Sequence, residues 1–401
     1  MTYGSSVNSP GRVAPGAVAR DARPEILLAV SAPWIGVARL PRILHEAGCR
    51  VVLLSYPKHF AAHSGYIDEL LPAPRKTSDA LTFLKQILAA RKFDWVILGD
   101  DPILGAAVED PGPWRDGWFP VDASGAPPLS LVSKTVFART IPLAGLPFPP
   151  SEVTAGAGAP AAAARIGYPV IVKPDRSSAG KGLLRAEDPT ALSVLPGAAP
   201  VVVQRCIEGK VGSTAVLFSA GRPLCWMSSY KEEVHPKPFG PSSVRRYVHF
   251  RALEAHLERL GALFRMTGLC GFDWIQPAGS EGPLFLELNG RPTPWLHLHR
   301  QFDVDFPGAI RAMLRGSPVV VRPPATAPVP VVRMFPQDAS RAVTEGDWGG
   351  FVRGSLASDD APRDDPRLLR ALRRYLLKRV WRRVWRYPSY VVERSWTPRG
   401  W

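Results

Sequence analysis

Short apolar segments alternate with amphipathic segments over residues 25–98, and this alternation restricts the possible folds more than any other feature of the sequence. Three runs have the length and apolar character of buried strands: EILLAVS (25–31), RVVLLS (50–55) and WVIL (95–98). Residues 38–47 and 79–91 have the spacing of amphipathic helices. Strands that alternate with helices form a parallel sheet covered on both faces. We therefore expect residues 25–130 to form an N-terminal α/β domain.

Length and composition point to a soluble globular protein of two or three domains, with 401 residues of which 46% are hydrophobic. The four cysteines are scattered, which argues against a disulfide framework or a zinc knuckle and favours a reducing cytosol. We predict a disordered leader over residues 1–24, which are rich in Gly, Ser, Ala and Pro. It lacks the pattern of a signal peptide, and no run approaches the ~20 apolar residues of a membrane span, so we expect a cytoplasmic protein.

The second part of the chain has a different pattern, with Pro- and Gly-rich turns between shorter elements. The helices predicted there cover residues 133–144, 159–166 and 253–267. The strands predicted there cover residues 167–174, 201–204, 215–218, 272–276 and 284–289. This mixture is typical of an α+β region that follows the α/β domain.

Two neighbouring apolar strands, FDWIQ and LFLELN, carry acidic side chains at matching positions. A symmetric hairpin centred near Ser280 places Asp273 opposite Glu287. Asn289 lies two residues beyond Glu287, and residues i and i+2 of a strand share a face. Hard cations such as Mg²⁺ prefer carboxylate and other oxygen ligands. The spacing therefore favours a metal site over the alternative, a hairpin with one solvated polar face.

A lysine and a small-residue loop stand together in GYPVIVKP and the following SSAGKG. Lys173 lies near the end of the apolar strand, where a lysine is costly to bury without an anionic partner. In the loop, residues 177–182, small side chains let backbone N–H groups approach phosphate oxygens. The loop lacks the spacing of a P-loop, and by itself it could be a plain turn. Together the two features predict a phosphate-binding region.

The order of these motifs resembles the ATP-grasp superfamily, which includes D-alanine–D-alanine ligase, biotin carboxylase and the large subunit of carbamoyl-phosphate synthetase. The resemblance covers about residues 133–295 and is carried by the segments GLPFP, IGYPVIVKP, SSAGKG, VVVQRCIEG and GFDWI…LFLELNGRP. It implies a mixed α/β and α+β chain. An ATP-grasp small subdomain (131–200) and large subdomain (201–325) would follow a Rossmann-like N-terminal domain and precede a C-terminal extension (326–401) with a basic helix.

The resemblance also implies site residues. It makes Lys134 and Lys173 the two ATP lysines. It makes Asp273, Glu287 and Asn289 the Mg²⁺ ligands. The other nucleotide contacts that it implies are Ser178, Gly180, Lys181 and Gly182 in the phosphate loop, and Gln204, Arg205, Ile207 and Glu208 in the adenine hinge.

Two arginines complete the implied catalytic set. Arg291 follows the metal strand and would contact a phosphate or the transition state. Arg245 lies beside Arg246, after FGPSS, in a stretch that often approaches substrate in this family; surface charge is the alternative for this pair. The chain departs from the family in the hinge, where Gln204 or Arg205 stands in place of a glutamate.

The resemblance implies an ADP-forming ligase that activates a small-molecule carboxylate as an acyl phosphate for attack by an amine. ATP and Mg²⁺ are the implied cofactors, with two ions expected and Mn²⁺ as an alternative ion. The competing hypothesis is a catalytically silent nucleotide-binding adaptor that acts through its basic C-terminal helix. The identity of both substrates and the formation of a homodimer are left open.

The C-terminal region is strongly basic, with twelve Lys/Arg against three Asp/Glu over residues 362–401, out of a net charge of +15 for the whole chain. Residues 367–386 have leucines and valines at intervals of four and a matching series of Lys/Arg, which is typical of a basic amphipathic helix. Three hypotheses fit this pattern: packing on the enzyme body, docking on an anionic membrane with Trp381 and Trp385 near the headgroups, or contact with nucleic acid or an acidic partner.

Overall fold

The computed structural model describes residues 23–122, 124–177, 180–326, 331–356 and 358–385. Most of the predicted leader, Ser178 of the predicted phosphate loop and Arg386 of the predicted basic helix lie outside the described residues. Among the described residues, no helix is both long enough and apolar enough to cross a membrane.

The N-terminal region is a four-stranded parallel sheet with the strand order β3-β2-β1-β4. Its strands are β1 Glu25–Ala29, β2 Arg50–Ser55, β3 Glu69–Pro72 and β4 Trp95–Leu98, and its helices are α1 Leu40–Glu46, α2 Thr77–Ala90 and α3 Asp101–Glu109. The predicted parallel α/β arrangement is confirmed. Two elements of this region were not predicted from the sequence: β3, which is short and half-exposed, and α3, which begins at a cap formed by the Asp100 carboxylate.

A second, antiparallel sheet has the strand order β5-β8-β6-β7. Its elements are α4 Lys134–Thr140, β5 Ser151–Ala155, α5 Ala159–Ile166, β6 Val170–Pro174, β7 Leu184–Ala186 and β8 Pro200–Arg205. Its alanines and valines form a separate hydrophobic cluster, which includes Ala162, Val172 and Val203. We call this unit the small sheet.

The third sheet, here the large sheet, has six strands in the order β13-β12-β9-β10-β11-β14. Its elements are β9 Gly209–Ser219, β10 Arg222–Val234, β11 Ser242–Val248, α6 Leu253–Phe264, β12 Gly268–Pro277, β13 Leu284–Asn289, α7 Phe306–Leu314 and β14 Val331–Arg333. Strand β9 is longer than predicted, and β10 and β11 were not predicted. Their polar residues interrupt the apolar pattern because one face of the sheet carries the candidate site described below.

Two hydrophobic clusters join the large sheet to the N-terminal sheet. One contains Ile26 and Leu28 of β1 together with Ala215 and Leu217 of β9, all of them fully buried. The other contains Leu27 of β1 and residues on the opposite face of the large sheet. These two sheets therefore share cores, while the strands of the small sheet and α5 have a core of their own.

The C-terminal region consists of α8 Gln337–Glu345, α9 Trp348–Leu356 and α10 Pro366–Trp385. The leucine stripe of α10 is buried, since Leu368, Leu372 and Leu376 expose at most 2% of their surface in a cluster with Phe335 and Ala339. The structure therefore shows that these leucines pack on the body of the protein, which was one of the three hypotheses for this helix. They are not available to enter a membrane.

Candidate functional site

The two predicted acidic residues face each other across the β12–β13 hairpin. Asp273 pairs with Glu287, and Gly271 pairs with Asn289, as expected for a hairpin centred near Ser280. The neighbours of Asp273 along β12, Phe272 and Trp274, are fully buried on the opposite face. The alternation of the strand therefore leaves the carboxylates on the polar face of the large sheet, with Asp273 20% and Glu287 28% exposed.

A row of polar side chains continues from this hairpin across the sheet. Ser213 of β9 is the strand partner of Asp273, and Ser229 of β10 is the partner of Ser213. Lys231 lies two residues beyond Ser229 and pairs with Arg245 of β11. Directly paired residues of antiparallel strands share a face, so this row lies on the same face as the two carboxylates.

Lysines neutralise both carboxylates. The Lys231 ammonium lies 2.8 Å from Asp273 Oδ2, and the Lys134 ammonium lies 3.3 Å from Glu287 Oε2. Burial raises the pKa of Glu287, but the positive charges of the surrounding lysines outweigh it, so the net shift of this pKa is downward. Glu287 is therefore held as a carboxylate.

Lys173 reaches the same site from the small sheet. Its side chain is 7% exposed, and its Nζ lies 3.5 Å from the Leu286 carbonyl oxygen on β13. Burial lowers the pKa of Lys173 to about 8, and the attraction of Glu287 offsets only part of this effect. The charge of the Lys173 ammonium is therefore fully compensated only when a ligand brings further negative charge to the site.

The start of α4 and the predicted phosphate loop meet at this point. Ser133 caps α4 by accepting from Val136 N–H, which places Lys134 at the first helical position. The Lys134 ammonium donates to the Ser177 carbonyl oxygen at the start of the loop, as well as contacting Glu287. Gly180 has φ +74° and passes close to the Phe239 backbone, so a side chain there would meet the Phe239 carbonyl.

The remaining predicted loop and hinge residues lie around the small sheet. Gly182 has φ +70°, and Lys181 is exposed beside it. At the end of β8, Gln204 Nε2 donates to Ser151 Oγ at 2.9 Å, and Arg205 donates to the Ile166 carbonyl. The Gln204 and Arg205 side chains therefore form hydrogen bonds within the small-sheet unit rather than with Asp273 or Glu287.

Beyond β8, Ile207 is half-buried and Glu208 is exposed. The backbone there connects the two sheets, since Cys206 N–H donates to Pro169 O at 2.9 Å and Ala278 N–H to Glu208 O at 3.2 Å. An adenine bound at this hinge would contact backbone groups and the side chains of Ile207 and Glu208.

Arg291 bridges the large sheet to the N-terminal sheet. Its guanidinium forms two bonds with the Asp101 carboxylate, Nε–Oδ1 at 2.5 Å and Nη2–Oδ2 at 2.9 Å, and it lies 4.3 Å from the Trp34 ring centre. Asp101 and Trp34 follow β4 and β1, where the strand order of the parallel sheet reverses. Such switch points are where open α/β sheets bind ligands.

The two neighbouring arginines of β11 have opposite surroundings. Arg245 is 3% exposed, and its Nη1 donates to Ser213 Oγ at 2.9 Å and to Ser229 Oγ at 2.8 Å. Arg246 is exposed on the other face and forms an ion pair with Glu232 at 2.8 Å. Only Arg245 therefore belongs to the polar row.

The donor set of this site suits Mg²⁺ and phosphate groups. Asp273, Glu287 and Asn289 offer hard oxygen atoms, and Lys134 and Lys173 offer positive charge beside them. Within the described ranges, no three His, Cys, Asp or Glu side chains gather as a ready-made metal cage. An ion would thus rest on two carboxylates, one amide oxygen and oxygens from phosphates, which is how Mg²⁺ is commonly held.

Residues 132–294 match the ATP-grasp domain family. This match and the fold confirm the resemblance and the mixed α/β fold expected from the sequence. A search of curated proteins found no match.

Solved structures give the same fold at low sequence identity. An L-amino acid ligase from Bacillus licheniformis is 15% identical, with a TM-score of 0.51, over 73% of this chain and 74% of that chain. N5-carboxyaminoimidazole ribonucleotide synthetase in its ADP complex is 14% identical, with a TM-score of 0.60, over 81% and 85%. The corresponding synthetase from Staphylococcus aureus with ADP is 14% identical, with a TM-score of 0.60, over 82% and 87%.

Three contacts of the site were not predicted from the sequence: the Lys231–Asp273 ion pair, the Ser213 bridge to Arg245 and the Asp101–Arg291 pair. Asp101 carried a weak signal, because it follows an apolar strand in the motif Gly-Asp-Asp. Ser213 carried none, since a serine in a strand is common.

Proposed function

We propose that this protein is an ADP-forming ligase, which uses Mg-ATP to activate a small-molecule carboxylate for attack by an amine. One observation carries the proposal. The polar face of the large sheet brings Asp273 opposite Glu287, and lysines from the small sheet region, Lys134 and Lys173, reach the same point. Two carboxylates with converging lysines form a suitable surface for a metal-bound triphosphate.

Lys134 and Lys173 would bind the phosphate oxygens of ATP, and the phosphate loop that begins at Ser177 would cover them. Asp273, Glu287 and Asn289 would hold Mg²⁺, which supplies charge neutralisation between the phosphates and the substrate carboxylate. The hinge after β8 would hold the adenine, with Gln204 and Arg205 supporting it through the small sheet. Since the small sheet has its own core, it can close over the nucleotide and exclude water.

In the first step, a carboxylate oxygen attacks the γ-phosphorus and the bond to the β,γ-bridging oxygen breaks, which releases ADP and leaves an acyl phosphate. Lys134 and Lys173 would offset the negative charge on the transferred group. In the second step, the amine nitrogen attacks the acyl carbon, the C–O bond to phosphate breaks, and the nitrogen loses a proton. The products are an amide, ADP and inorganic phosphate. Arg291, held by Asp101, would position a phosphate or the acyl group.

The relatives support this class of reaction. One is an L-amino acid ligase, and two synthetases of similar fold were crystallised with ADP. The homodimer and a second metal ion stay predictions.

The test is Mg-dependent ADP release over a panel of carboxylates and amines, with wild type, Glu287→Gln and the matched control Glu281→Gln. Glu281 is an exposed acid in the loop that joins β12 and β13. We expect turnover that needs both substrates and falls at least ~100-fold in Glu287→Gln, because loss of a metal ligand removes several kcal/mol of charge stabilisation. The control should keep wild-type activity.

Turnover of no pair, together with no binding of Mg-ATP by the wild type, would contradict a ligase and favour a role for the basic C-terminal helix. Turnover that is unchanged in Glu287→Gln would show that the metal site lies elsewhere.

A further inference from the structure

Arg245 is a buried cation without an acidic partner. Among the described residues its guanidinium bonds only to the hydroxyls of Ser213 and Ser229, both through Nη1, and its Nε has no hydrogen-bond partner. One face of the guanidinium is covered by Trp295, whose ring centre lies 4.4 Å from Cζ. The carboxylate of the same row, Asp273, is already paired with Lys231.

This arrangement is costly for the protein alone. A buried charge loses its hydration, and neutral hydroxyls replace only part of it. Burial lowers the pKa of Arg245 to about 9, although the charge of Asp273 opposes the shift. A structural role would normally add a carboxylate, as Glu232 does for Arg246. The missing negative charge therefore points to a ligand.

The position of the guanidinium indicates which part of a ligand would reach it. Arg245 belongs to β11, yet its side chain crosses β10 to Ser213 on β9, which is the strand beside Asp273. Adjacent strands lie about 4.8 Å apart, so the guanidinium lies within about one or two strand spacings of Asp273. Lys134 and Lys173 contact β13, on the other side of Asp273. The phosphates and the reacting carboxylate would occupy that side.

We propose that Arg245, with Ser213 and Ser229, binds a second carboxylate of the substrates, one that is not phosphorylated. The inference rests on the proposed ligase function and narrows its substrate class. Either the acid is a dicarboxylate or the amine is an amino acid. A single guanidinium matches the single charge and planar shape of a carboxylate, and the free Nε with an adjacent Nη offers a two-point contact.

The experiment compares wild type with Arg245→Met and with the control Arg246→Met, which removes the exposed neighbour. Two probe pairs differ only in the spare carboxylate: succinate against propionate, and L-alanine against ethylamine. Calorimetric titration of each probe in the presence of Mg-ADP measures binding, and ADP release measures turnover. Chemical denaturation measures stability.

We expect at least one carboxylate-bearing probe to bind at least tenfold more tightly than its partner, and Arg245→Met to abolish that difference while Arg246→Met keeps it. Arg245→Met should be as stable as wild type or more stable, because it removes an uncompensated buried charge. Turnover, where found, should show a raised KM for the same probe.

Equal binding within both probe pairs, or equal binding by wild type and Arg245→Met, would overturn the inference even if turnover is found. Loss of folding in Arg245→Met would also overturn it by assigning the residue a structural role. Arg245-dependent probe binding without turnover of these probes would support the carboxylate site, and the wider panel of carboxylates and amines would then decide the ligase function.

Discussion

Two clusters of charged residues in this protein have different charge balances. The first, which we call the edge cluster, lies on the N-terminal sheet and consists of Glu25, Arg50, Glu69 and Arg91. Arg91 contacts Glu69 at 2.8 Å and Glu25 at 2.6 Å, and Arg50 contacts Glu69 at 2.9 Å. Two positive charges meet two negative charges, and each group has a partner.

The second, the site cluster, lies between the large and small sheets. Its acidic members are Asp273 and Glu287, and its basic members are Lys134, Lys173, Lys231 and Arg245. Four cations meet two carboxylates; Lys173 and Arg245 are buried, and the other four side chains are half-buried. A cluster that is stable by itself tends to be balanced, so the excess of two positive charges indicates that anionic ligands complete this one.

Replacing Lys173 with Met should show the difference between the two clusters most clearly, because it should lower turnover without lowering stability. We expect turnover to fall by about 100-fold or more, since a phosphate contact worth several kcal/mol is lost. Stability at neutral pH should stay the same or rise, because the buried ammonium has too little negative charge around it. ADP release and chemical denaturation check the two parts. A large loss of stability would mean that the site cluster is structural, like the edge cluster.

Alkaline pH should stabilise the site cluster. The pKa of Lys173 is about 8 in the folded protein, below its ordinary value of 10.5. The unfolded chain therefore binds more protons between these values, and the free energy of unfolding should rise with pH by up to about 3 kcal/mol across this window. Denaturation from pH 7.5 to 10.5 measures the free energy of unfolding of wild type and of Lys173→Met. We expect the difference between the two proteins to become smaller as the pH rises. A difference that stays constant would contradict the lowered pKa.

Replacing Arg91 with Met should damage the edge cluster without affecting chemistry. We expect a loss of about 1 kcal/mol of stability, because Arg91 is about one-third exposed and solvent screens its contacts with Glu25 and Glu69. Turnover per folded molecule should be unchanged. Denaturant midpoints and ADP release measure this, with Arg165→Met, an exposed ion-paired arginine of the small sheet, as the control.

Acid should weaken the edge cluster. Hydrogen bonds from Arg91 lower the pKa of Glu69 to about 2, against an ordinary value of 4.5. This contribution is fully present above pH 4.5 and should be lost as the pH falls toward 2, with a size below about 1 kcal/mol after screening. The loss should be smaller in Arg91→Met. Equal acid sensitivity in both proteins would show that the pairing does not shift this pKa.

The sequence predicted the elements whose own pattern is strong. Apolar runs predicted β2, β4 and β13 with their observed bounds, because a buried strand needs a continuous apolar run. It also predicted the pairing of Asp273 with Glu287, since a hairpin with a short turn fixes its own register. Strands β10 and β11 were missed, because a polar face next to a ligand site breaks the alternation on which strand prediction depends.

The sequence by itself determined the parallel sheet of the N-terminal region, the acidic hairpin and the presence of lysines suited to phosphate, because each of these is encoded within a few neighbouring residues. Only the tertiary structure decided which charges meet. Asp101 reaches Arg291 from 190 residues away, and Lys134 lies 3.3 Å from Glu287 although strands β5 to β12 separate the two residues in the chain. The burial of Arg245 without an acidic partner is likewise a property of packing between strands, since the free energy of a charge depends on its surroundings in space rather than on its neighbours in the chain.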